Sequence, residues 1–265
     1  MESFEGKVGV VTGGGSGIGR GICLALAEAG ASVAVADIDG DSASKVAEEV
    51  AAKGARGFAV TTDVTQTDSV AALSDAVVKE MGGVDIVCNN AGVYLGGEMA
   101  DTTEDDWRFV LSVNLDGVFR VGQRFSKLLL EQGRGGHIVN TASIGGFLSH
   151  GGAVAYAASK FGVVAYSEAL RVELEPRGIG VSTLCPGPIR TNLAGSDRLR
   201  APGEQAGGKS QALWEFIREG LEPESVGGIV IDGIRDNAAY IYTHDWSDAF
   251  AERFQRVLKD FERLR

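Results

Sequence analysis

A glycine-rich loop, TGGGSGIG at Thr12–Gly19, separates a β-branched run from an Ala/Leu-rich helical stretch. Glycines allow positive φ and close approach of the backbone to a ligand, and a helix N-terminus offers N–H donors and partial positive charge. Asp37 ends the next apolar run, eighteen residues after Gly19. A carboxylate there accepts hydrogen bonds from both hydroxyls of an adenosine ribose. The pattern predicts a dinucleotide site, although a surface Asp that caps the next helix would look the same in isolation. The expected contacts in the loop are Gly13, Ser16, Gly17, Ile18 and Gly19.

The charge of Asp37 also bears on which dinucleotide would bind. A carboxylate about 4 Å from a 2′-phosphate costs about 1 kcal/mol in water and about 4 kcal/mol at an intermediate dielectric. That range is roughly tenfold to a thousandfold in affinity. Ser16 precedes Gly17, where a Lys or Arg would offer a cation to the phosphate. The loop therefore favours NAD(H).

Tyr156 and Lys160 are four residues apart in a helical pattern and share one helix face. The ordinary pKa of tyrosine is about 10, so about one in a thousand is ionised at pH 7. An ammonium at about 4 Å supplies about 4 kcal/mol at an effective dielectric of about 20, which would bring that pKa towards neutrality. A tyrosine shifted in this way is a usable general base. Taken alone, the same spacing is more typical of an exposed surface pair.

Apolar runs and helical patterns alternate along the chain and would position these groups. Seven runs predict strands: Lys7–Thr12, Ser32–Ala36, Gly57–Thr61, Val84–Cys88, His137–Thr141, Gly180–Cys185 and Ala239–Tyr242. The longest helical patterns cover Asp105–Glu131 and Ala153–Glu175. Apolar strands that alternate with helices are typical of a parallel sheet buried on both faces. The expected fold is α/β, a Rossmann-like doubly wound parallel sheet of about seven strands with helices on both faces.

Residues 1–265 are expected to form a single domain with two additions. A polar, Gly-rich stretch at 194–211 lies within an expected substrate lid at about 190–222, and it is predicted to be either mobile or disordered. A C-terminal helical extension is expected at about 245–265. Its apolar residues recur at spacings of three and four: Phe250, Phe254, Val257, Leu258 and Phe261. Trp107 is expected in the core of a helix, and Trp246 is expected to pack the tail.

Composition excludes several classes of function. The chain has 25 basic and 36 acidic residues, a net charge of −11, which disfavours nucleic acid and a polybasic membrane anchor. Its three cysteines, Cys23, Cys88 and Cys185, are far apart, as in a reducing cytosol. No apolar stretch reaches about 18 residues. We therefore expect a cytoplasmic protein with no membrane or nucleic-acid partner. The histidines are scattered without ligand spacing, so no metal site is expected.

From about Gly6 to Thr191 the sequence resembles the short-chain dehydrogenase/reductase family. The matching motifs follow one another at the family's spacing: Thr12–Gly19, Asp63-Val64, Asn89–Gly92, Asn114, Ser143, Tyr156-Ala-Ala-Ser-Lys160, Pro186-Gly187 and Thr191. Each motif is weak alone, but the ordered set is specific. The resemblance implies an NAD-dependent enzyme that oxidises alcohols or reduces ketones.

The resemblance also implies roles for individual residues. For the cofactor, it implies that Asp63 and Val64 contact adenine, that Asn90 and Gly92 line the adenosine ribose, and that Tyr156 and Lys160 also contact the cofactor. It further implies that the segment with Pro186, Gly187, Ile189 and Thr191 holds the nicotinamide. For catalysis, it implies that Tyr156 is the acid/base, that Lys160 lowers its pKa and can bind the nicotinamide ribose, that Ser143 donates to the substrate oxygen, and that Asn114 holds a water linking Lys160 to solvent.

The resemblance also implies that three segments wall the substrate site: Val93–Gly97, Ile144–Gly152 and Leu193–Phe216. Their apolar and aromatic side chains favour an apolar or aromatic alcohol or ketone, although packing beneath the lid would explain the same residues equally well. His150 is expected either to line the cleft or to lie exposed in its loop. Cys185, beside Pro186, is expected to be a buried strand-end residue. The C-terminal part resembles members that include bacterial dehydrogenases of lignin-derived aryl ether alcohols, which act at Cα.

Two other functions stay open at this point. One is a 3-oxoacyl- or steroid-type reductase that uses NADPH, and the other is an NAD-binding regulator without catalysis. The two longest helices are expected to pair across a two-fold axis, which predicts a homodimer or homotetramer.

Overall fold

The computed structural model describes residues 1–200 and 211–264. Within them lie seven strands: β1 (Val8–Thr12), β2 (Ser32–Asp37), β3 (Gly57–Thr61), β4 (Ile86–Asn89), β5 (Gly136–Thr141), β6 (Ile179–Cys185) and β7 (Tyr240–Tyr242). All neighbouring strands are parallel, and their order in the sheet is β3-β2-β1-β4-β5-β6-β7. The order reverses between β1 and β4, and ligands of such sheets bind beyond the carboxyl ends of the strands at that point.

Helices cover both faces of the sheet. They are α1 (Gly17–Glu28), α2 (Gly40–Ala52), α3 (Thr67–Met81), α4 (Glu104–Leu111), α5 (Val118–Gln132), α6 (Val154–Leu174), α7 (Gln211–Arg218), α8 (Pro223–Arg235) and α9 (Ser247–Phe261). Along β1, Val11 packs in one core with α1, α2 and α8, while Val10 packs in the other with α3 and α5. Side chains alternate in this way because successive strand residues point to opposite faces. The predicted fold class is confirmed.

The helix predicted over Asp105–Glu131 is wrong in its middle. A π-helical turn, Ser112–Gly117, separates α4 from α5. Such turns contain an extra residue and often lie at functional sites. The turn places Asn114 in the interior with no exposed surface. An apolar pattern at spacings of three and four does not reveal one inserted residue, because the pattern continues on both sides.

The two ends of the segment expected to form the lid lie side by side and are bonded to each other. Ile189 bridges to Leu221, and Arg190 forms an ion pair with Glu222 at 2.8 Å. From Leu193 to Leu199 the chain forms short 3₁₀ turns, and the mobility of this part of the polar stretch stays a prediction. The remainder of that prediction, at residues 201–210, lies outside the described residues.

One expectation about an apolar side chain needs correction. Trp107 on α4 is 36% exposed, so it is not a core residue. On α9, Phe250 packs against the ring of Phe147 at 5.0 Å, whereas the rest of the apolar face is exposed. Trp246 is partly buried at the start of α9, as expected for a residue that packs the tail. Cys185 is buried at the end of β6, as predicted. No helix in the described parts of the chain is long and apolar enough to cross a membrane.

Candidate active site

The glycine-rich loop after β1 packs tightly against the loop after β4. Gly13 has a φ of +62°, which favours glycine. A Cβ on Gly19 would lie 2.0 Å from the carbonyl oxygen of Gly13, so any larger residue would disrupt the loop. The side-chain amide of Asn90 donates to the carbonyls of Thr12 at 3.2 Å and Gly13 at 3.3 Å. Asn90 thus supports the loop, a contact different from the ribose role that the resemblance implies.

Asp37 lies at the carboxyl end of β2 beside this loop. Its Oδ2 accepts from the Gly15 N–H at 2.9 Å, and its Oδ1 accepts from the Asp39 N–H at 3.0 Å. Each carboxylate oxygen keeps capacity for a further hydrogen bond, and the side chain is partly exposed. A Cβ on Gly15 would lie 2.9 Å from Oδ2, so glycine leaves the approach to the carboxylate open. The arrangement fits an adenosine ribose.

Asp63 and Val64 lie next to Asp37 because β3 neighbours β2. The Thr62 N–H donates to the Asp37 carbonyl at 2.7 Å, which places the residues after β3 at the same edge. Val64 is 8% exposed and packs near Gly117 in the π-helical turn. Asp63 accepts from the backbone and hydroxyl of Thr65. The position fits an adenine contact, and that role stays a prediction.

Ser143 and Tyr156 meet around the backbone of Gly145. A Cβ on Gly145 would lie 3.4 Å from Ser143 Oγ and 3.6 Å from Tyr156 Cε1. Ser143 follows β5, where its Oγ accepts from the Gly145 N–H at 3.0 Å. Tyr156 lies in the first turn of α6, and Lys160 lies one turn further on with its Nζ 5.6 Å from the tyrosine ring centroid. The structure thus brings together the three side chains that the sequence singled out.

The ionisation of Tyr156 differs from the expectation. Burial raises the pKa of Tyr156 to about 12, although the Ser143 side chain acts in the opposite direction. Lys160 is 4% exposed, and burial lowers its pKa to about 8. Its Nζ donates to the Thr141 carbonyl at 2.9 Å. Burial therefore disfavours the phenolate, and the ammonium is bound to a backbone carbonyl. The expected lowering of the tyrosine pKa by Lys160 stays a prediction.

Asn114 connects the π-helical turn to the loop after β4. Its Oδ1 accepts from the Val93 N–H at 2.8 Å, while its Nδ2 donates to the Val93 carbonyl at 2.9 Å and to Ser159 Oγ at 3.1 Å. Gly92 lies between Asn114 and Lys160, since a Cβ there would be 3.4 Å from Oδ1 and 3.6 Å from Nζ. Asn114 therefore fixes the loop beside the lysine, and its water-holding role stays a prediction.

The segment Pro186–Thr191 joins the two halves of the site. At one end, the Pro186 carbonyl accepts from the Ile144 N–H at 2.9 Å, beside Ser143. At the other end, a Cβ on Gly17 would lie 3.1 Å from Thr191 Cγ2. Ile189 is buried between them. The segment therefore spans the distance from the catalytic side chains to the glycine-rich loop.

Two residues near this segment were not predicted. The Gly187 N–H donates to Thr243 Oγ1 at 3.0 Å, and His244 lies against Gly187. Both follow β7, whose place beside β6 is a property of the sheet order and not of any local motif. The other two histidines lie elsewhere. His137 is buried and bonded to Ser182, and His150 is exposed, which favours its alternative as a loop residue.

The family model for short chain dehydrogenase matches residues 7–201. The chain belongs to this family. It is 32% identical to a C alpha-dehydrogenase of Sphingobium sp. (strain SYK-6), over 97% of this chain and 87% of that protein. It is 36% identical over 85% of its length to the probable oxidoreductase EphD of Mycobacterium tuberculosis, of which it spans only 39%. The crystal structure of a short-chain dehydrogenase/reductase from Burkholderia phymatum in complex with NAD has a TM-score of 0.91 and 34% identity, covering 100% of this chain and 97% of that one.

These comparisons confirm the family resemblance, including that of the C-terminal part. On the substrate side of this short-chain dehydrogenase, the buried ring of Tyr94 lies 4.9 Å from that of Tyr156. Phe147 instead contacts rings on β7 and α9, which supports the packing alternative for that residue. Trp214 and Phe216 on α7 are exposed. A depression of about 340 Å³ is lined by Arg190, Thr191, Trp214, Glu215, Ile217 and Arg218.

Proposed function

We propose that this short-chain dehydrogenase transfers a hydride between NAD(H) and a secondary alcohol or ketone of apolar or aromatic character. The meeting of Ser143 and Tyr156 around Gly145, with Lys160 one turn away, carries the proposal. Asp37 and the NAD bound to the Burkholderia relative support the choice of cofactor. The ring of Tyr94 beside Tyr156 and the name of the Sphingobium relative support an alcohol with apolar or aromatic substituents.

In this proposal, different segments of the chain bind different parts of the NAD cofactor. The glycine-rich loop would hold the pyrophosphate through residues Gly13, Ser16, Gly17, Ile18 and Gly19. Asp37 would accept from the adenosine ribose, with Asp63 and Val64 at the adenine. Asn90 would hold the glycine-rich loop in place, and Gly92 would lie beside Lys160. The segment Pro186–Thr191, called the nicotinamide segment below, would hold the nicotinamide end. When bound, the nicotinamide accepts or supplies the hydride.

The proton and the oxygen of the substrate are handled by side chains. In oxidation, the Tyr156 hydroxyl would take the proton of the alcohol as general base, and in reduction it would return the proton as general acid. Ser143 would donate to the substrate oxygen and stabilise the charge that develops there. Lys160 would supply positive charge beneath Tyr156, and Asn114 would keep the loop after β4 in place next to Lys160.

A nicotinamide absorbance assay tests the proposal. Purified protein would be given aryl, alicyclic and steroidal alcohols with NAD⁺ and NADP⁺ in parallel, and acyl thioesters and steroid ketones with NADH and NADPH. We expect turnover with NAD⁺ on apolar or aromatic secondary alcohols. A preference for NADPH with an acyl thioester or steroid would favour the reductase alternative. NAD⁺ binding seen by thermal shift, with no turnover on any panel member, would favour the regulator.

Asp37→Ser is expected to weaken discrimination against NADP⁺ about tenfold to a thousandfold, because the carboxylate no longer repels the 2′-phosphate. The affinity for NAD⁺ should also fall, because the ribose loses its acceptor. The ratio of kcat/KM with the two cofactors measures the effect. Asp39→Ser is the matched control. Asp39 is exposed, lies two residues away and caps α2, a role that serine also fills. An unchanged ratio in Asp37→Ser would contradict the role of Asp37.

A homodimer or homotetramer is also part of the proposal. Exposed apolar side chains lie on the helices expected to pair, with Phe119 on α5 49% exposed and Val172 on α6 78% exposed. We expect Val172→Asp to shift the protein to monomers in sedimentation velocity, because a buried unpaired charge at an interface is costly. Val257→Asp on α9 should leave the assembly intact. A wild-type monomer at micromolar concentration would contradict the proposal, and dissociation by Val257→Asp alone would place the interface on α9.

A further inference from the structure

The residues that follow β7 lie beside the nicotinamide segment. β7 pairs with the end of β6, with Ile241 opposite Leu184 and Tyr242 opposite Cys185. The residues that follow the two strands therefore lie next to each other at the same edge of the sheet. There the Gly187 N–H donates to Thr243 Oγ1 at 3.0 Å. A Cβ on Gly187 would lie 2.6 Å from His244 Nδ1, so the imidazole covers this glycine.

Thr243 and His244 are themselves joined by a hydrogen bond. The distance from Thr243 Oγ1 to His244 Nδ1 is 2.7 Å. Because Thr243 Oγ1 accepts from Gly187, its own proton is available to donate to Nδ1. Burial lowers the pKa of His244, which keeps the ring neutral and able to accept at neutral pH. The result is a chain of hydrogen bonds from Gly187 through Thr243 to His244, in which each bond polarises the next.

The nicotinamide segment is thereby held from two sides. On the β5 side, the Ile144 N–H donates to the Pro186 carbonyl at 2.9 Å, next to Ser143. On the β7 side, Thr243 and His244 hold the next residue, Gly187. Hydride transfer depends steeply on the position of the reacting carbon, so a backbone held on both sides reduces the range of positions open to a ring bound against it.

We infer that Thr243 and His244 are positioning residues that fix the Gly187 backbone and, through it, the nicotinamide end of the cofactor. The inference rests on the proposed function, since it assumes that this segment holds the nicotinamide. It predicts a selective effect. Changing Thr243 should alter contacts with the nicotinamide. It should spare contacts with the adenosine and the pyrophosphate, which depend on Asp37 and the glycine-rich loop, and with the second ribose, which Lys160 is expected to bind.

Binding of NADH and of ADP-ribose to Thr243→Val tests this selectivity. ADP-ribose carries every part of the cofactor except the nicotinamide. Valine keeps the shape of threonine and removes the hydroxyl. We expect the Kd for NADH to rise about two- to tenfold, as for one lost hydrogen bond, while the Kd for ADP-ribose stays unchanged. The kcat on the best alcohol should fall as well. Thr243→Ser restores the hydroxyl and should restore both values.

His244→Phe provides an independent second variant. Phenylalanine keeps a ring against Gly187 and removes the acceptor for Thr243, so a smaller change in the same direction is expected for NADH alone. If the folded variants bind NADH and ADP-ribose more weakly by the same factor, the two residues have a general structural role and the inference is overturned. Unchanged NADH binding and kcat in both variants would overturn it too. A wild-type protein that binds neither nucleotide would instead contradict the proposed function, which keeps the two failures distinct.

Discussion

Replacing Tyr156 with phenylalanine should lower the rate of alcohol oxidation by about a thousandfold, within the range of a lost general base. The physical reason is that the Tyr156 hydroxyl is the group beside Ser143 that can take the proton of a substrate. The change removes one oxygen atom and keeps the ring that packs against Tyr94. NADH affinity, measured by fluorescence titration, should therefore stay within about twofold, because uniform binding is unaffected.

The pH profile adds a second measurement for the same variant. Burial holds the pKa of Tyr156 at about 12, above the assay range, so the ionised fraction grows about tenfold per pH unit. The wild-type oxidation rate should accordingly rise with pH, and the residual rate of Tyr156→Phe should not. Tyr166→Phe is the matched control. Tyr166 lies on the same helix, its pKa is likewise raised to about 12, and its hydroxyl lies against Gly122. A Tyr156→Phe rate within tenfold of wild type would show that another group moves the proton.

The sequence predicted the features of this protein that depend on local pattern. Strands appeared as apolar β-branched runs, and the glycine-rich loop was recognisable because it lies between a strand and a helix. Tyr156 and Lys160 required only helical spacing to be placed together. Ser143 was placed beside them by the family resemblance, which rests on the order of the motifs.

The features that escaped prediction depend on contacts between distant segments. Asn114 was singled out, but its bonds to Val93 require the π-helical turn, which leaves the apolar periodicity unchanged. Thr243 and His244 gain their place from the pairing of β7 with β6, about 60 residues after Pro186-Gly187 in the chain. The sequence predicted the amphipathic helix α9, but not that only its first turn contacts Phe147.

The ionisation of the site escaped prediction for a related reason. From sequence, the attraction between Lys160 and an ionised Tyr156 could be estimated from spacing, whereas burial could not. Burial disfavours the charged form of both groups, so it raises the tyrosine pKa and lowers the lysine pKa together. The fold therefore pays a stability cost at neutral pH to keep an ammonium in the interior. That cost can be measured, because it depends on the protonation of one side chain.

The stability of Lys160→Met relative to the wild type should be highest at neutral pH and should fall as the pH rises. Lys160 has its pKa lowered from 10.5 to about 8, so between these values the unfolded chain binds more protons than the folded one. The free energy of unfolding of the wild type therefore increases with pH across this window. Methionine has a similar length and does not titrate. The difference in unfolding free energy between the two proteins should change by about 2 kcal/mol from pH 7 to pH 10 in favour of the wild type.

Urea unfolding of both proteins at the two pH values measures this difference, and groups that titrate in both proteins cancel from the comparison. The loss of the bond to the Thr141 carbonyl shifts the stability of the variant by the same amount at each pH, so it does not affect the change. Lys127→Met is the matched control. Lys127 lies on α5 with 71% of its side chain exposed, and its substitution should give no pH-dependent difference of this size. If the difference in unfolding free energy between Lys160→Met and the wild type does not change with pH either, Lys160 is hydrated in solution. That result would contradict both its lowered pKa and the cost of its burial.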